Sequence, residues 1–320
     1  MSDISKKIIE LLPDTFVIPA PTNIGAIIKK DDKNPSASIV YLIDSGTTEI
    51  DAEYILNVLS DFFEKKGREW KLEAIINTHG HTDHIGGNDF ITKKTGCQVW
   101  APLLECAMME NPYLQATQIW GGIPPHEIQT SYFKATPSKP TRIISEADKI
   151  TFSDGSEISF LSMPGHCFEM TAVIYTAPDG KKTLYAGDGL FTRGELSKYW
   201  IPYMQNPFEF MNSLDKLEKI ENIEWCVPSH GDAINTNLTE TIEMNRLAIL
   251  ETKGMLLNLI SQGRKTSEEL LKAVADMNDM KLGFGMFVLV GSTLRSYLAI
   301  LHDLKYIKVV IEDNKFYWTL

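Results

Sequence analysis

Four side chains able to bind a cation fall within six residues of this chain, in Thr78-His79-Gly80-His81-Thr82-Asp83-His84-Ile85-Gly86-Gly87. The run directly follows residues 72–76, an apolar stretch short enough to be a buried strand. A lone histidine is usually a satisfied core or surface residue. Three imidazoles and a carboxylate at the end of a buried strand must instead be crowded and desolvated, or share a cation through their lone pairs. Neutral imidazole nitrogen and carboxylate oxygen are the usual ligands of Zn²⁺ and similar ions. Gly80, Gly86 and Gly87 are read as permitting tight backbone turns that aim these side chains inward.

The chain has seven histidines, and the other four are His126, His166, His230 and His302. His166 lies in Met163-Pro164-Gly165-His166 and His230 in Val227-Pro228-Ser229-His230-Gly231, each just past an apolar strand. Asp188 ends another apolar strand, Leu184-Tyr185-Ala186-Gly187. Residues at strand ends are delivered to one rim of a sheet. A buried carboxylate there needs a partner, and a metal supplies one. His126 follows Pro124-Pro125, His302 sits in the last helix, and neither is assigned to a metal.

Around these motifs the first half alternates strands and helices. Residues 15–18, 23–28 and 38–43 are β-branched, apolar and bounded by Pro, Gly and Asp, as strands are. Ile55, Val58, Leu59 and Phe62 recur at helical spacing over 51–63, and Gly67 ends that helix. Helices are expected at 88–94 and 102–109, and strands at 98–100, 149–152, 157–162, 171–175 and 183–185. Many strands with helices between them suggest stacked sheets covered by helices. Residues 111–140, with five prolines and the exposed-looking aromatics Tyr113, Trp120, Tyr132 and Phe133, break the rhythm. Long irregular insertions usually act as lids or mobile segments. From about 238 the composition turns helical. Thr266-Ser267-Glu268-Glu269 is a capping pattern, 291–304 a second helix, and 306–320 a hairpin turning at Asp313-Asn314. Helix, helix, hairpin is the outline of a winged helix, or of a plain helical cap.

Taken together, His-x-His-x-Asp-His, then Gly-His, Gly-Asp and Ser-His-Gly, in this order over about residues 15–235, resemble the metallo-β-lactamase superfamily. The resemblance implies a four-layer αββα sandwich with the site at one edge of two sheets. It implies a catalytic domain at 1–237, with the insertion at about 111–140, and a C-terminal helical or winged-helix domain at 238–320. It also implies His79, His81 and His166 on one metal, Asp83, His84 and His230 on a second, and Asp188 bridging them. Asp44, in Ile43-Asp44-Ser45-Gly46, matches a family aspartate that supports the ligands. Two divalent ions about 3.5–4 Å apart, most simply Zn with Fe or Mn as alternatives, would acidify a bridging water toward a pKa of ~7. The resulting metal-bridging hydroxide is the nucleophile, and Asp83 orients it. Cys167, beside a ligand, is read as a packing residue.

Substrate is less constrained, because this superfamily serves many reactions. True β-lactamases in it generally replace the bridging aspartate by Cys or Ser, so Asp188 points to the glyoxalase II, lactonase or ribonuclease side. Residues 255–320 resemble the winged-helix tail of the β-lactamase-like protein 2 branch, through layout and Gly291-Ser292-Thr293-Leu294-Arg295-Ser296-Tyr297-Leu298. That segment carries eight Lys or Arg against seven Asp or Glu, and the whole chain has a net charge of −11. A nucleic-acid surface should be more basic, although Arg264, Lys265, Lys305 and Lys308 form a local patch. Trp120, Tyr132, Phe133, Trp200 and Tyr203 are candidates to line an apolar pocket. The expectation is a hydrolase of a small thioester, ester or lactone. The alternatives are a single-strand-specific endoribonuclease and a metal-loaded binding or regulatory protein with vestigial hydrolysis.

Four scattered cysteines without Cys-x-x-Cys spacing are expected to be reduced thiols. The first seven residues lack the apolar core of a secretory signal, and the most apolar stretch, 284–290, is far short of ~20 residues. A cytoplasmic protein is expected, with a small-molecule partner and no membrane; a homodimer remains open.

Overall fold

Strands in the first half are apolar at successive positions, and the computed structural model shows why: both faces of the first sheet are covered. It describes residues 8–130, 133–199 and 201–320. The first sheet runs β1 (Ile9–Leu12), β2 (Thr15–Ile18), β3 (Ile24–Lys30), β4 (Ala37–Ile43), β5 (Glu69–Ile76), β6 (Gln98–Ala101) and β7 (Arg142–Ile143), in that spatial order. Neighbours are antiparallel up to β4 and parallel beyond it. The second sheet runs β8 (Lys149–Thr151), β9 (Glu157–Ser162), β10 (Thr171–Thr176), β11 (Lys182–Gly187) and β12 (Ile223–Pro228), with only β12 parallel to its neighbour.

Parallel neighbours require crossovers, and helices supply them. They are α1 (Glu49–Lys66), α2 (Thr82–Ile85), α3 (Asn88–Thr95), α4 (Leu103–Glu110) and α5 (Tyr113–Trp120) in the first sheet. In the second they are α6 (Arg193–Tyr199) and α7 (Pro207–Glu218). A capping box between Thr48 and Asp51 starts α1, and Gly67, at φ 60°, ends it in the left-handed region that glycine tolerates.

Alternation of side chains sorts the core into layers. Phe16, Ile18, Val40, Leu42 and Ile75 face Ile55, Val58, Leu59 and Phe63 of α1. Their neighbours Val17, Tyr41, Ile43, Ala74 and Ile76 face Ile158, Phe160, Val173, Tyr175 and Tyr185 of the other sheet. The phenol of Tyr185 crosses between the sheets to bond the backbone of Phe16 and Ala26. Gly25 lies under its ring, where a Cβ would come within 2.5 Å. The outer face of the second sheet, with Ala172, Ile174, Leu184 and Ala186, joins one cluster with α7, α8 (Leu238–Ser261), α9 (Ser267–Met277) and α10 (Phe284–Asp303). A hairpin, β13 (Lys308–Glu312) and β14 (Lys315–Thr319), closes the chain; Asp313 and Asn314 both sit at positive φ in its turn.

Three expectations need correction. Residues 111–140 are not structureless: they contain α5 and a short 3₁₀ turn at His126–Ile128, and Phe133 is buried rather than exposed. Tyr132 and Trp200 lie outside the described residues. The last helix begins at Phe284, because Gly283 serves as its N-cap and Gly285 packs by the Phe133 ring. By length and composition this helix is long and apolar enough to cross a membrane, contrary to the sequence reading. Its residues Leu294, Tyr297, Leu298 and Leu301 are buried in the core.

Candidate metal centre

Every candidate ligand leaves a strand at the same rim. His79, His81, Asp83 and His84 follow β5, His166 follows β9, Asp188 follows β11 and His230 follows β12. Two glycines let the first loop reach its place, though through space and not through turn geometry. Gly86 and Gly87 have ordinary negative φ of −60° and −85°. A Cβ on Gly86 would stand 1.8 Å from the Thr47 carbonyl oxygen, and one on Gly87 2.3 Å from that of Ser45. Close approach of two backbones is the requirement.

The seven side chains converge. His81 Nδ1 is 2.9 Å from both His79 Nε2 and His166 Nε2. Asp188 Oδ2 is 3.3 Å from His166 Nε2, and its Oδ1 is 3.5 Å from His84 Nε2. Asp83 Oδ2 lies 3.4 Å from His84 Nε2 and 3.3 Å from His230 Nε2. Three trios have donor atoms close enough to hold an ion: His79, His81 and His166; Asp83, His84 and His230; and His79, His84 and Asp188. Three ring nitrogens facing one another cannot satisfy each other with hydrogen bonds alone. His84 Nε2 and Asp188 Oδ1 are buried with no hydrogen-bond partner. Bare donors of this kind fit a divalent cation.

Acceptors outside the cluster fix which nitrogen faces in. Asp44 accepts from the Thr78 amide (2.8 Å) and hydroxyl (2.9 Å) and from His84 Nδ1 (2.8 Å). The Thr78 hydroxyl, whose hydrogen points to Asp44, accepts from His79 Nδ1 at 3.0 Å. His166 Nδ1 donates to the Tyr203 carbonyl (2.9 Å) and His230 Nδ1 to that of Pro21 (3.1 Å). Each bond leaves the Nε2 lone pair aimed inward.

Residues 36–230 match the family described as the Metallo-beta-lactamase superfamily. The chain belongs to the metallo-β-lactamase superfamily. Among its relatives is a Methanocaldococcus jannaschii protein described as a probable metallo-hydrolase, 27% identical over 60% of this chain and 82% of that one. A hydroxyacylglutathione hydrolase of Hyphomonas neptunium is 23% identical over 69% and 76% of the two chains. A β-lactamase domain protein from Burkholderia ambifaria has a similar fold, with a TM-score of 0.73 at 15% identity over 99% of this chain and 94% of that one. The metallo-β-lactamase fold and a superfamily hydrolase are thereby shown.

Electrostatics divide this superfamily site into two poles. Burial pushes the His79 imidazole well below its ordinary value, and the neighbouring histidines add to that. Burial, then His166, brings His81 down to about 3, and burial also lowers His166. Burial opposes charge on His84 and His230 too, but the carboxylates outweigh it. Asp83, Asp44 and Asp188 hold His84 well above its usual range, and Asp188 with Asp83 raises His230 to about 9. Against burial, His84 and His230 hold Asp83 well below the usual carboxylate range; His230, His166 and His84 lower Asp188. One pole therefore offers neutral lone pairs, and at the other the carboxylates favour positive charge on their neighbours.

Sequence reasoning misses the residues that brace the first loop. Glu105, buried on α4, accepts from the Gly80 amide at 2.9 Å and the Glu169 amide at 3.2 Å, tying the loop to the segment after His166. Gln115, on α5, accepts from the amide and hydroxyl of Thr82. A polar residue in phase with a buried helical stripe is the available signal: Glu105 shares its buried face with Met109, and Gln115 with Ile119. Cys167 is buried, and burial together with Glu105 holds its thiol well above the usual range, as a packing residue requires. His126 and His302 lie apart from the trios: His126 is exposed, and His302 Nδ1 donates to the Ile307 carbonyl.

A cavity of about 310 Å³ opens on the ligands. His81, Asp83, His166, Asp188 and His230 line it with Phe133 and Tyr203. Of the other aromatic candidates for its wall, Trp120 is instead exposed against Phe284, with ring centroids 5.9 Å apart; Tyr113, which looked exposed in the sequence, is half-buried.

Proposed function

We propose that this chain is a dinuclear metal-dependent hydrolase of a small thioester, ester or lactone. The observation that carries the reading is the convergence of seven donor side chains around the bare, buried His84 Nε2 and Asp188 Oδ1. His79, His81 and His166 would hold one ion, Asp83, His84 and His230 the other, and Asp188 would serve both. Zinc is the first choice, and the same ligands suit iron or manganese. Such a pair supplies Lewis acidity, making water nucleophilic near neutral pH and offsetting charge that develops on a carbonyl oxygen. Asp83 lines the cavity, with the Thr22 hydroxyl donating to it at 3.2 Å, and is placed to orient water and pass its proton to the leaving group.

The size of the cavity supports a small substrate over a polymer, since 310 Å³ lies at the small end of ligand sites. The basic patch expected for RNA is weakened because Arg264 pairs with Glu312. The relatives' name, hydroxyacylglutathione hydrolase, supports acyl transfer to water. A cytoplasmic setting belongs to the same proposal, and four free thiols support it.

The test is a panel of thioesters, esters and lactones beside labelled single-stranded RNA, with metal content measured by mass spectrometry. His81→Ala and Asp188→Ala should abolish turnover and lower bound metal. Full activity after exhaustive chelation, or RNA cleavage without small-substrate turnover, overturns the reading.

A further inference from the structure

Resting on that hydrolase reading, we infer that the cavity selects substrates by an apolar acyl group, and that α10 supplies part of the acyl pocket. Opposite chemistries meet in this cavity. Beside the His and Asp side chains, it is lined by Ile119 of α5, Phe133, Ile201, and Met286 and Leu289 of α10. Met286 and Leu289 are three residues apart and so share one helix face. Phe133 and Ile119 belong to a small apolar cluster with Val288 of the same helix, against which Tyr203 and Leu289 pack. The segment read from sequence as an irregular insertion and the helix read as part of an appended domain thus build one wall together.

Exposure gives the cavity a direction. Ile119, Phe133 and Ile201 are each under 5% exposed and Met286 and Leu289 are half-buried, so the apolar wall is largely withdrawn from solvent. Of the charged lining residues, Glu195 is half-buried and Lys198 exposed, which puts the polar end at solvent. A carbonyl held at the His and Asp side chains would place one substituent toward each end. A polar thiol or alcohol has to leave toward water, so the apolar wall takes the acyl chain. Water adds to the carbonyl carbon, the carbon–sulfur or carbon–oxygen bond breaks, and the leaving group departs with the proton.

Two substrate series on the metal-loaded full chain test this. One varies the acyl group from acetyl through butyryl to hexanoyl on a constant thiol, and the other varies the thiol on a constant acyl group. kcat/KM should rise at least about tenfold from acetyl to butyryl, the scale of a methylene difference in an apolar pocket, and change little along the thiol series. Leu289→Trp should cut hexanoyl turnover at least about tenfold more than acetyl turnover, and Met286→Ala should shift the optimum toward longer chains. Hexanoate should raise the thermal midpoint more than acetate does in the parent, and not in Leu289→Trp. A flat acyl series, or dependence on the thiol alone, overturns the acyl pocket while leaving the hydrolase reading intact. No turnover of any acyl substrate, with RNA cut, sinks both.

Discussion

At the scale of single residues, the candidate centre is specified as much by what holds its seven donor side chains as by those side chains. Asp44 shows this most directly. Its two oxygens accept three hydrogen bonds, one of them from His84 Nδ1 at 2.8 Å, and it adopts φ 66° to do so. Asp44→Ala would free the His84 ring to turn and would leave the Thr78 amide without an acceptor in a buried place. Loss of such outer contacts typically costs about 10–100-fold in metal affinity. A competition titration with a chromophoric chelator should show a drop of that size; an unchanged affinity would mean that packing alone orients His84. The seven candidate ligands are legible in sequence because their spacing is local: four fall in six residues and the rest follow apolar strands. Asp44 is legible only through the family resemblance. Glu105 and Gln115 are not, since each is a single polar residue on the buried face of its helix and acts through a backbone amide far away in the chain. The glycines stand out in sequence for a reason that proves incomplete. Gly86 is required by a carbonyl 1.8 Å from where its Cβ would be, and no sequence pattern reports the arrival of a second backbone.

Among the elements, strands buried on both faces are the easiest to read, because apolar and β-branched runs such as those of β2, β4 and β10 leave little alternative. Helices read well where a cap and a periodic stripe coincide, as in α1 and α9. They escape notice where tertiary packing overrides local signals: α5 sits in a proline-rich stretch, and α10 begins through two glycines. Charge inside a strand is also hard to foresee. Lys29 of β3 is almost fully buried, yet its ammonium reaches Asp14 at 2.5 Å, Asp154 at 2.6 Å and the Tyr175 phenol at 3.0 Å, fastening one sheet to the other. Burial opposes ionisation of Asp154, but Lys29 and Ser156 outweigh it and bring that carboxyl down to about 2. A depressed carboxyl stabilises the fold above its unfolded value near 3.8 and loses that contribution as pH falls toward 2. Because Asp154 is partly exposed, screening limits the pair to about 1 kcal/mol. Urea denaturation should find Lys29→Met less stable by about that amount at roughly pH 6, with the gap to the parent closing as pH drops below about 4. A gap that widened on acidification would assign the stabilisation to some other group.

For the molecule as a whole, the question is whether residues 238–320, which contribute none of the seven ligands, are an addition to the fold or a part of it. From the buried contacts we propose that they are a part. One apolar cluster runs unbroken from Ile174, Leu184 and Ala186 of the second sheet through Leu214 and Leu217 of α7 to Ile249 of α8 and Leu294 of α10. Polar ties cross the same boundary: Asn245 of α8, fully buried, accepts from the Phe191 amide at 3.0 Å and donates to its carbonyl at 2.8 Å. Thr293 of α10 accepts from the Met204 amide at 3.2 Å. Phe191 and Met204 flank the loops that follow Asp188 and carry Tyr203, so the C-terminal helices hold the rear of the cavity. Removing them would bare one face of a sheet and orphan two buried amides, each costing roughly 1–3 kcal/mol, against a total stability of only about 5–15 kcal/mol. A chain ending at residue 237 should therefore fail to fold even with zinc present, giving aggregated or dye-binding protein and no protected amides in β11. The full chain should melt in a single calorimetric transition whose van't Hoff and calorimetric enthalpies agree, with and without chelator. Two separated transitions, or a truncated chain that binds two metal equivalents with native affinity, would instead establish 1–237 and 238–320 as independent domains and would restrict α10 to a borrowed wall of the cavity.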